Sequence, residues 1–147
     1  MLYNYNARVL RVVDGDTIDV MIDLGLNIHV KERVRLLDVN TPEKFGVSKD
    51  SDEYRAGIES SKWLVRQIAV RWSDESKSAV ADKGEHEKAL SAFVETGAVF
   101  AMPPEVRIRT HKDSKGKYGR YLAEVFVGDD TESINTKLIH MGFGAEY

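Results

Sequence analysis

The sequence predicts a β-barrel with helices, an α+β arrangement built on a five-stranded OB-fold. Two observations carry this. Strand-like runs of alternating apolar and polar residues open the chain and return in its second half, joined by short turns. Between them lies a longer segment whose apolar residues recur at helical spacing, and another such stripe closes the chain. Three strands, a helix, two strands and a terminal helix describe a small curled barrel, an architecture that commonly binds polyanions. The 147 residues suffice for one domain with a real core, so residues 1–147 are taken as a single unit.

Tyr5–Val13 alternates as a first strand, and Asp14-Gly15 is a tight-turn signal. Thr17–Asp23 places Ile18, Val20 and Ile22 on one face and Asp19, Met21 and Asp23 on the other. The chain turns around Gly25 and returns over Ile28–Leu37. There the alternation fails at Leu36-Leu37, the mark of a bulge or of entry into the core. Thr41-Pro42 ends the regular structure, and Lys44–Lys49 reads as a mobile loop.

A helix follows from about Asp52. Tyr54, Ile58, Ser61, Val65, Ile68 and Trp72 form its stripe, broadened by Trp63 and Leu64, while Asp50 and Glu53 have capping-box spacing. Gly57 is out of place in such a helix. Ser73–Gly84 is polar. Glu85–Glu95 predicts a second helix, with Asp82 as cap and Ala89, Leu90, Phe93 and Val94 as its apolar side, stopped by Gly97 and Pro103-Pro104. Glu105–Thr110 is a half-exposed strand, Lys112–Lys117 a charged hairpin turn and Tyr118–Val127 a further strand. In the tail, Ile134, Leu138 and Met141 share a helical stripe, and Gly142 is its C-cap.

Composition narrows the function. Without cysteine there are no disulfides, thiolate metal sites or cysteine nucleophile, and four scattered histidines form no zinc-like cluster. No run is long and apolar enough for a signal sequence or a membrane span, so a cytoplasmic protein without a membrane partner is expected, secretion requiring a leader absent from this sequence. The net charge of −3 argues mildly against non-specific nucleic-acid binding. Its distribution is uneven: Glu105–Arg120 carries six Lys or Arg against two acids, and Ser73–Glu95 three Lys against six acids. A basic cleft on an acidic body and an ordinary solvated surface both fit that imbalance.

Three stretches carry candidate chemistry. In Val13–Thr17 (VDGDT), Asp14-Gly15 can be a plain turn, or Asp14 and Asp16 can serve a hard cation. In Arg33–Glu43 (RVRLLDVNTPE), Arg35 can snorkel from a barrel rim or address phosphate, and Glu43 alone reads as a surface carboxylate. In Lys117–Arg120 (KYGR), Gly119 allows close approach beside Arg120. Each is weak alone; the ordered combination is stronger.

That combination resembles the staphylococcal (micrococcal, thermonuclease-type) nuclease family. The resemblance runs from about Ala7 to Val47 and again from about Glu105 to Phe143. It rests on VDGDT, on RLL-x-V-x-TPE at Arg35–Glu43, on KYGR-x-LA at Lys117–Ala123, and on a terminal helix from Ile134-Asn135 to Gly142-Phe143. It implies metal-dependent hydrolysis of DNA or RNA phosphodiesters with low sequence specificity, leaving 3′-phosphoryl ends. Ca²⁺ is the implied cofactor, with Mg²⁺ or Mn²⁺ as substitutes. By resemblance, Asp16 and the Thr41 carbonyl are metal ligands and Asp14 orders the site from behind them. Glu43 assists the attacking water, Arg35 and Arg120 grip the scissile phosphate, and Lys117 and Tyr118 contact a neighbouring phosphate or the nucleotide. An arginine fork beside a cation suits the charge that grows on phosphoryl oxygens.

The sequence departs from the family pattern at two places. Asn40 occupies the position of a second metal-binding aspartate and brings a neutral oxygen in place of a carboxylate. A catalytically weak or inactive OB domain that binds nucleic acid or protein is therefore the alternative. Retention of Asp16, Arg35, Glu43 and Arg120 together favours an active enzyme. Secondly, residues 72–104 form an insertion of roughly thirty residues relative to the family core. A surface excursion is its simplest reading; a lid, a partner surface or a dimer contact is the other. The expected partners are DNA or RNA, with a monomer expected and a homodimer through the insertion as the variant. An unexported nuclease suits a bacterial or phage role in DNA turnover. His111 lies in the basic hairpin within reach of phosphate, and His140 is assigned to the polar side of the last helix.

Overall fold

The computed structural model describes residues 3–69, 83–112 and 121–146. Strand β1 (Tyr3–Asp14) leads through Gly15 into β2 (Thr17–Asp23), and β3 (His29–Leu36) completes a meander. After a two-residue β4 (Val39–Asn40) come helix α1 (Asp52–Ile68) and helix α2 (Lys83–Glu95). The chain then forms β5 (Ala98–Val99), β6 (Glu105–Lys112), β7 (Tyr121–Phe126), α3 (Ile134–His140) and β8 (Ala145–Glu146).

Five long strands close into the predicted OB-type barrel. The sheet runs β2-β3-β7-β6-β1, and β1 pairs again with β2. Every long pairing is antiparallel except β3 with β7, where Val34, Arg35 and Leu36 face Tyr121, Leu122 and Ala123. Strand β1 serves two neighbours because it is long and bent: Tyr3–Arg8 pairs with β6 and Asn6–Asp14 with β2, with register shifts between Val9 and Arg11 and between Val12 and Asp14. Such irregularities sharpen the twist needed for closure. The two-residue β5 adds to β1 at Arg11 and Val12.

The core follows the predicted alternation. Val9, Ile18, Val20, Val34, Leu36, Ile108 and Val125 point inward and are almost fully buried. Leu64 and Val65 of α1, Leu90 and Val94 of α2, and Ile134 and Leu138 of α3 join the same core. The part of the insertion within the described residues is thus packed onto the same hydrophobic core, with Phe93 edge-on to Phe100 at 5.7 Å. Ala89, expected on the apolar side of α2, is exposed. So is Met141, whose stripe ends when Gly142 takes a left-handed φ of 78° and the Gly142 N–H closes onto the Ile139 carbonyl. The α1 N-cap is Ser51, not Asp50: its side chain accepts from the Tyr54 amide.

The break at Leu36-Leu37 is a change of direction. Asp38 adopts a left-handed φ of 60°, so Val39 and Asn40 leave the barrel sheet and pair with Glu146 and Ala145. Buried Asn135 secures the bend: its amide donates to the Leu37 and Ala123 carbonyls, and its Oδ1 accepts from the Val125 amide. Asp82, Trp72 and most of the Lys112–Lys117 turn and Ser73–Gly84 lie outside the described residues. Among the described residues, no helix is long and apolar enough to cross a membrane.

Candidate functional site

Two glycines bring the site together. A Cβ on Gly15 would lie 2.5 Å from Ser60 Oγ and 2.8 Å from Thr41 Oγ1. A Cβ on Gly57 would lie 2.9 Å from the carbonyl oxygens of both Pro42 and Glu43. Neither position has room for a side chain. The Gly15 backbone therefore lies against the Ser60 and Thr41 side chains, and α1 meets the Pro42–Glu43 backbone directly at Gly57.

Asp16 is buried at this junction. Its Oδ1 accepts from the Thr17 hydroxyl at 3.0 Å and its Oδ2 from the Thr41 amide at 3.1 Å. Arg35 stands on the outer face of β3, paired with Thr17 across the ladder. Its Nη2 donates to Asn40 Oδ1 at 3.1 Å and lies 3.9 Å from Asp16 Oδ2. Asp16, Arg35, Asn40 and Thr41 thus form one connected group. Glu43 is exposed on the same turn. Asn40, Thr41 and Glu43 line an open groove of about 620 Å³ bounded by the start of α1 and by Gly142–Ala145. Lys117, Tyr118 and Arg120 lie outside the described residues.

Behind this group sit a half-buried acid and a buried base. Asp14 Oδ1 accepts the Asp16 amide at 3.1 Å. Burial pushes the Asp14 carboxyl up to about 7, helped by the side-chain hydrogen bond and the negative charge of Asp16 and opposed by the hydrogen bond from the Asp16 amide and by Lys44. Lys44, predicted to begin a mobile loop, is almost fully buried instead. Its ammonium donates to the Val13 carbonyl at 2.7 Å and to the Val94 carbonyl at the end of α2. Burial lowers its pKa to about 8, with Arg11 adding to the effect and Asp14 opposing it. Nothing local in the sequence marks Lys44, because its partners come from strands and helices far along the chain.

The donor set can be weighed against the Ca²⁺ that the resemblance implies. Calcium favours six to eight oxygens, several from carboxylates. Here Asp16 is already engaged through both oxygens, and the neutral Asn40 oxygen accepts from a guanidinium. Among the described residues, no three His, Cys, Asp or Glu side chains cluster as ligands. These residues fit a divalent cation poorly, and the positive charge beside Asp16 comes from Arg35.

Comparison with other proteins agrees with this architecture. An uncharacterized protein of Methanocaldococcus jannaschii is 28% identical over 152 aligned positions, covering 98% of this chain. The chain spans 60% of that protein's length. The family model described as staphylococcal nuclease homologue matches residues 33–147, beginning at the strand of Arg35 and taking in Asn40, Thr41 and Glu43 but not the Asp14–Asp16 turn. The chain belongs to the staphylococcal nuclease homologue family.

Proposed function

We propose that this chain is a nucleic-acid-binding OB domain in which metal-dependent phosphodiester hydrolysis is weak or lost. One observation carries the reading: Arg35 is hydrogen-bonded to Asn40 Oδ1 where the family pattern has an anionic metal ligand. Loss of that carboxylate removes a negative charge from the cation's surroundings. Arg35 remains as a fixed phosphate donor, since Asn40 and Asp16 restrain its guanidinium. Planar guanidinium donors match phosphate oxygens well.

A second reading is a low-specificity endonuclease that uses Ca²⁺, Mg²⁺ or Mn²⁺ on DNA or RNA and leaves 3′-phosphoryl ends. The joining of Asp16 to Thr41 and Arg35, with Glu43 on the same turn, favours it. In that reading Asp16, Asn40 and the Thr41 carbonyl would hold the ion, and Glu43 would order water against the phosphate.

The two separate in one experiment. Single-stranded oligonucleotide binding is measured in EDTA, and cleavage of the same substrate and of plasmid is followed across Ca²⁺, Mg²⁺ and Mn²⁺ titrations with detection of 3′-phosphate. The expected result is binding without metal, lost in Arg35→Ala, with little cleavage until Asn40→Asp restores a metal response. Strong Ca²⁺-dependent cleavage by the wild type, unchanged in Asn40→Asp, would establish the endonuclease reading instead.

A further inference from the structure

We propose a second nucleic-acid subsite on the outer face of β6, β7 and the start of β1, which takes the single strand as it leaves Arg35. It rests on the nucleic-acid-binding reading above and extends it to a surface well away from the Asp16 turn.

The basic run noted in the sequence sorts by side on β6. Val106, Ile108 and Thr110 are buried, so Arg107, Arg109 and His111 face outward. Register then connects them to Arg35. Arg35 pairs with Leu122, and Leu122 pairs with His111, so these three share one outer row. The next outward positions pair Arg109 with Glu124 and with Asn4, and the next pair Arg107 with Phe126 and with Asn6. Basic side chains therefore lead from Arg35 across the sheet and down β6.

They end in a groove of about 490 Å³ lined by Asn4, Asn6, Arg107, Arg109 and Phe126, among others. Both guanidiniums lie against the Phe126 ring, at 5.5 and 5.7 Å from its centre. The partners of Arg107 are the neutral carbonyls of Gly128 and Asp130, at 3.0 and 2.8 Å, which orient the guanidinium without cancelling its charge. Arg109 donates to the neutral Asn4 Oδ1 at 3.2 Å and stands 3.9 Å from Glu124. Three acids face this strip. Glu124 is shared between Arg109 and His111, and Asp130 is paired with Lys137. Asp129, the third, also lines the groove.

Guanidinium and polar chemistry together favour single-stranded nucleic acid. Arginines address phosphates, while the asparagine amides and an aromatic ring can meet bases only when these are unstacked. Two interstrand steps and four residues along β6 separate Arg35 from Arg107, roughly 16 Å on standard sheet spacings. An OB-fold covers roughly 4–16 nucleotides, which is long enough to cross that span.

The test measures binding by fluorescence anisotropy in EDTA, using labelled oligothymidylates of about three and about twelve nucleotides. In the Arg107→Gln/Arg109→Gln variant, the longer oligomer should bind about tenfold more weakly. Its log–log salt slope should become shallower by about 1.4, two phosphates at 0.7 each. The shorter oligomer should bind as to the wild type. Asn6→Asp, which adds a negative charge without removing a loop hydrogen bond, should also weaken the longer oligomer selectively and does not depend on the arginines' structural bonds. Unchanged affinity for the longer oligomer in both variants, or equal weakening of both lengths, would overturn the subsite. Failure of the wild type to bind either length would overturn the underlying binding reading and the subsite with it.

Discussion

Replacing Gly57 with alanine sets two effects of similar size against each other, and the structure decides the sign. Gly57 lies within α1, where alanine is worth about 1 kcal/mol more than glycine. The added Cβ, however, would lie 2.9 Å from two backbone carbonyl oxygens, whereas ordinary contact begins near 3.4 Å. Those oxygens belong to the Pro42–Glu43 turn, which cannot retreat freely. The Thr41 amide is bonded to Asp16 on one side, and Lys44 is bonded to the Val13 and Val94 carbonyls on the other. Overpacking against such a neighbour costs about 1–3 kcal/mol. The net expectation for Gly57→Ala is a loss of roughly 1 kcal/mol, measured by urea denaturation, together with weaker oligonucleotide binding as the Asn40–Glu43 turn shifts beneath Arg35. Exposed Ala56 supplies the control for helix propensity alone: Ala56→Gly should cost about 1 kcal/mol. A Gly57→Ala protein about 1 kcal/mol more stable than the wild type would show that the close approach of α1 to the site turn is not a constraint.

Other substitutions test the buried polar groups. Asn135→Ala removes three hydrogen bonds and strands two carbonyls and an amide, so a loss of about 3 kcal/mol in denaturant titration is expected. Asp14 has its folded pKa raised to about 7, so its contribution is fully present below pH ~4 and is lost as pH rises through about 7. Asp14→Asn should therefore gain stability relative to the wild type across that window, by up to about 4 kcal/mol as a ceiling, read from urea midpoints against pH. Lys44→Met should destabilise by about 1–3 kcal/mol at pH 7, the stranded carbonyls outweighing relief of a buried charge, whereas the exposed pair broken in Lys49→Ala should cost less than about 1 kcal/mol.

Periodicity carried the fold wherever an element was long enough to show it. Strand β2 falls on Thr17–Asp23 as the alternation predicts, and α1 begins at Asp52. The two-residue strands β4, β5 and β8 have no period to read, and they exist only because a partner segment lies alongside. Ser51 and Asp50 are both good caps by type, and the entry angle of the chain chooses between them. The candidate site divides in the same way. The family resemblance picked out Asp16, Arg35, Asn40 and Thr41, which the fold connects, but the bond from Arg35 to Asn40 is a matter of side-chain direction on a turn. Gly57 looked like a weakness in a helix because its reason, the Pro42 and Glu43 carbonyls, lies outside the helix.

The burial of Lys44 also changes what the insertion does. Three consecutive residues at the end of α2 and just beyond it each receive a donor from the body of the protein. The Val94 carbonyl accepts from Lys44, Glu95 from Lys49 and Tyr54, and the Thr96 carbonyl from Arg11. Carbonyls at a helix C-terminus carry partial negative charge, so cations gather there readily. What matters is where these donors come from. Lys44 and Lys49 bracket the loop after Glu43, Tyr54 is in the first turn of α1, and Arg11 is on β1 shortly before Asp14. Gly97, just past the helix, brings its backbone against the Arg11 guanidinium, where a Cβ would lie 2.4 Å from Nε. A lid would meet the site across a surface it could leave. This helix end instead supplies acceptors to buried Lys44, half-buried Arg11 and exposed Lys49, and Leu90 and Val94 complete the hydrophobic core beneath. The described part of the insertion is thus a brace: it holds the loop after Glu43 against β1, and through that loop it fixes the turn on which Asn40 and Thr41 meet Asp16 and Arg35.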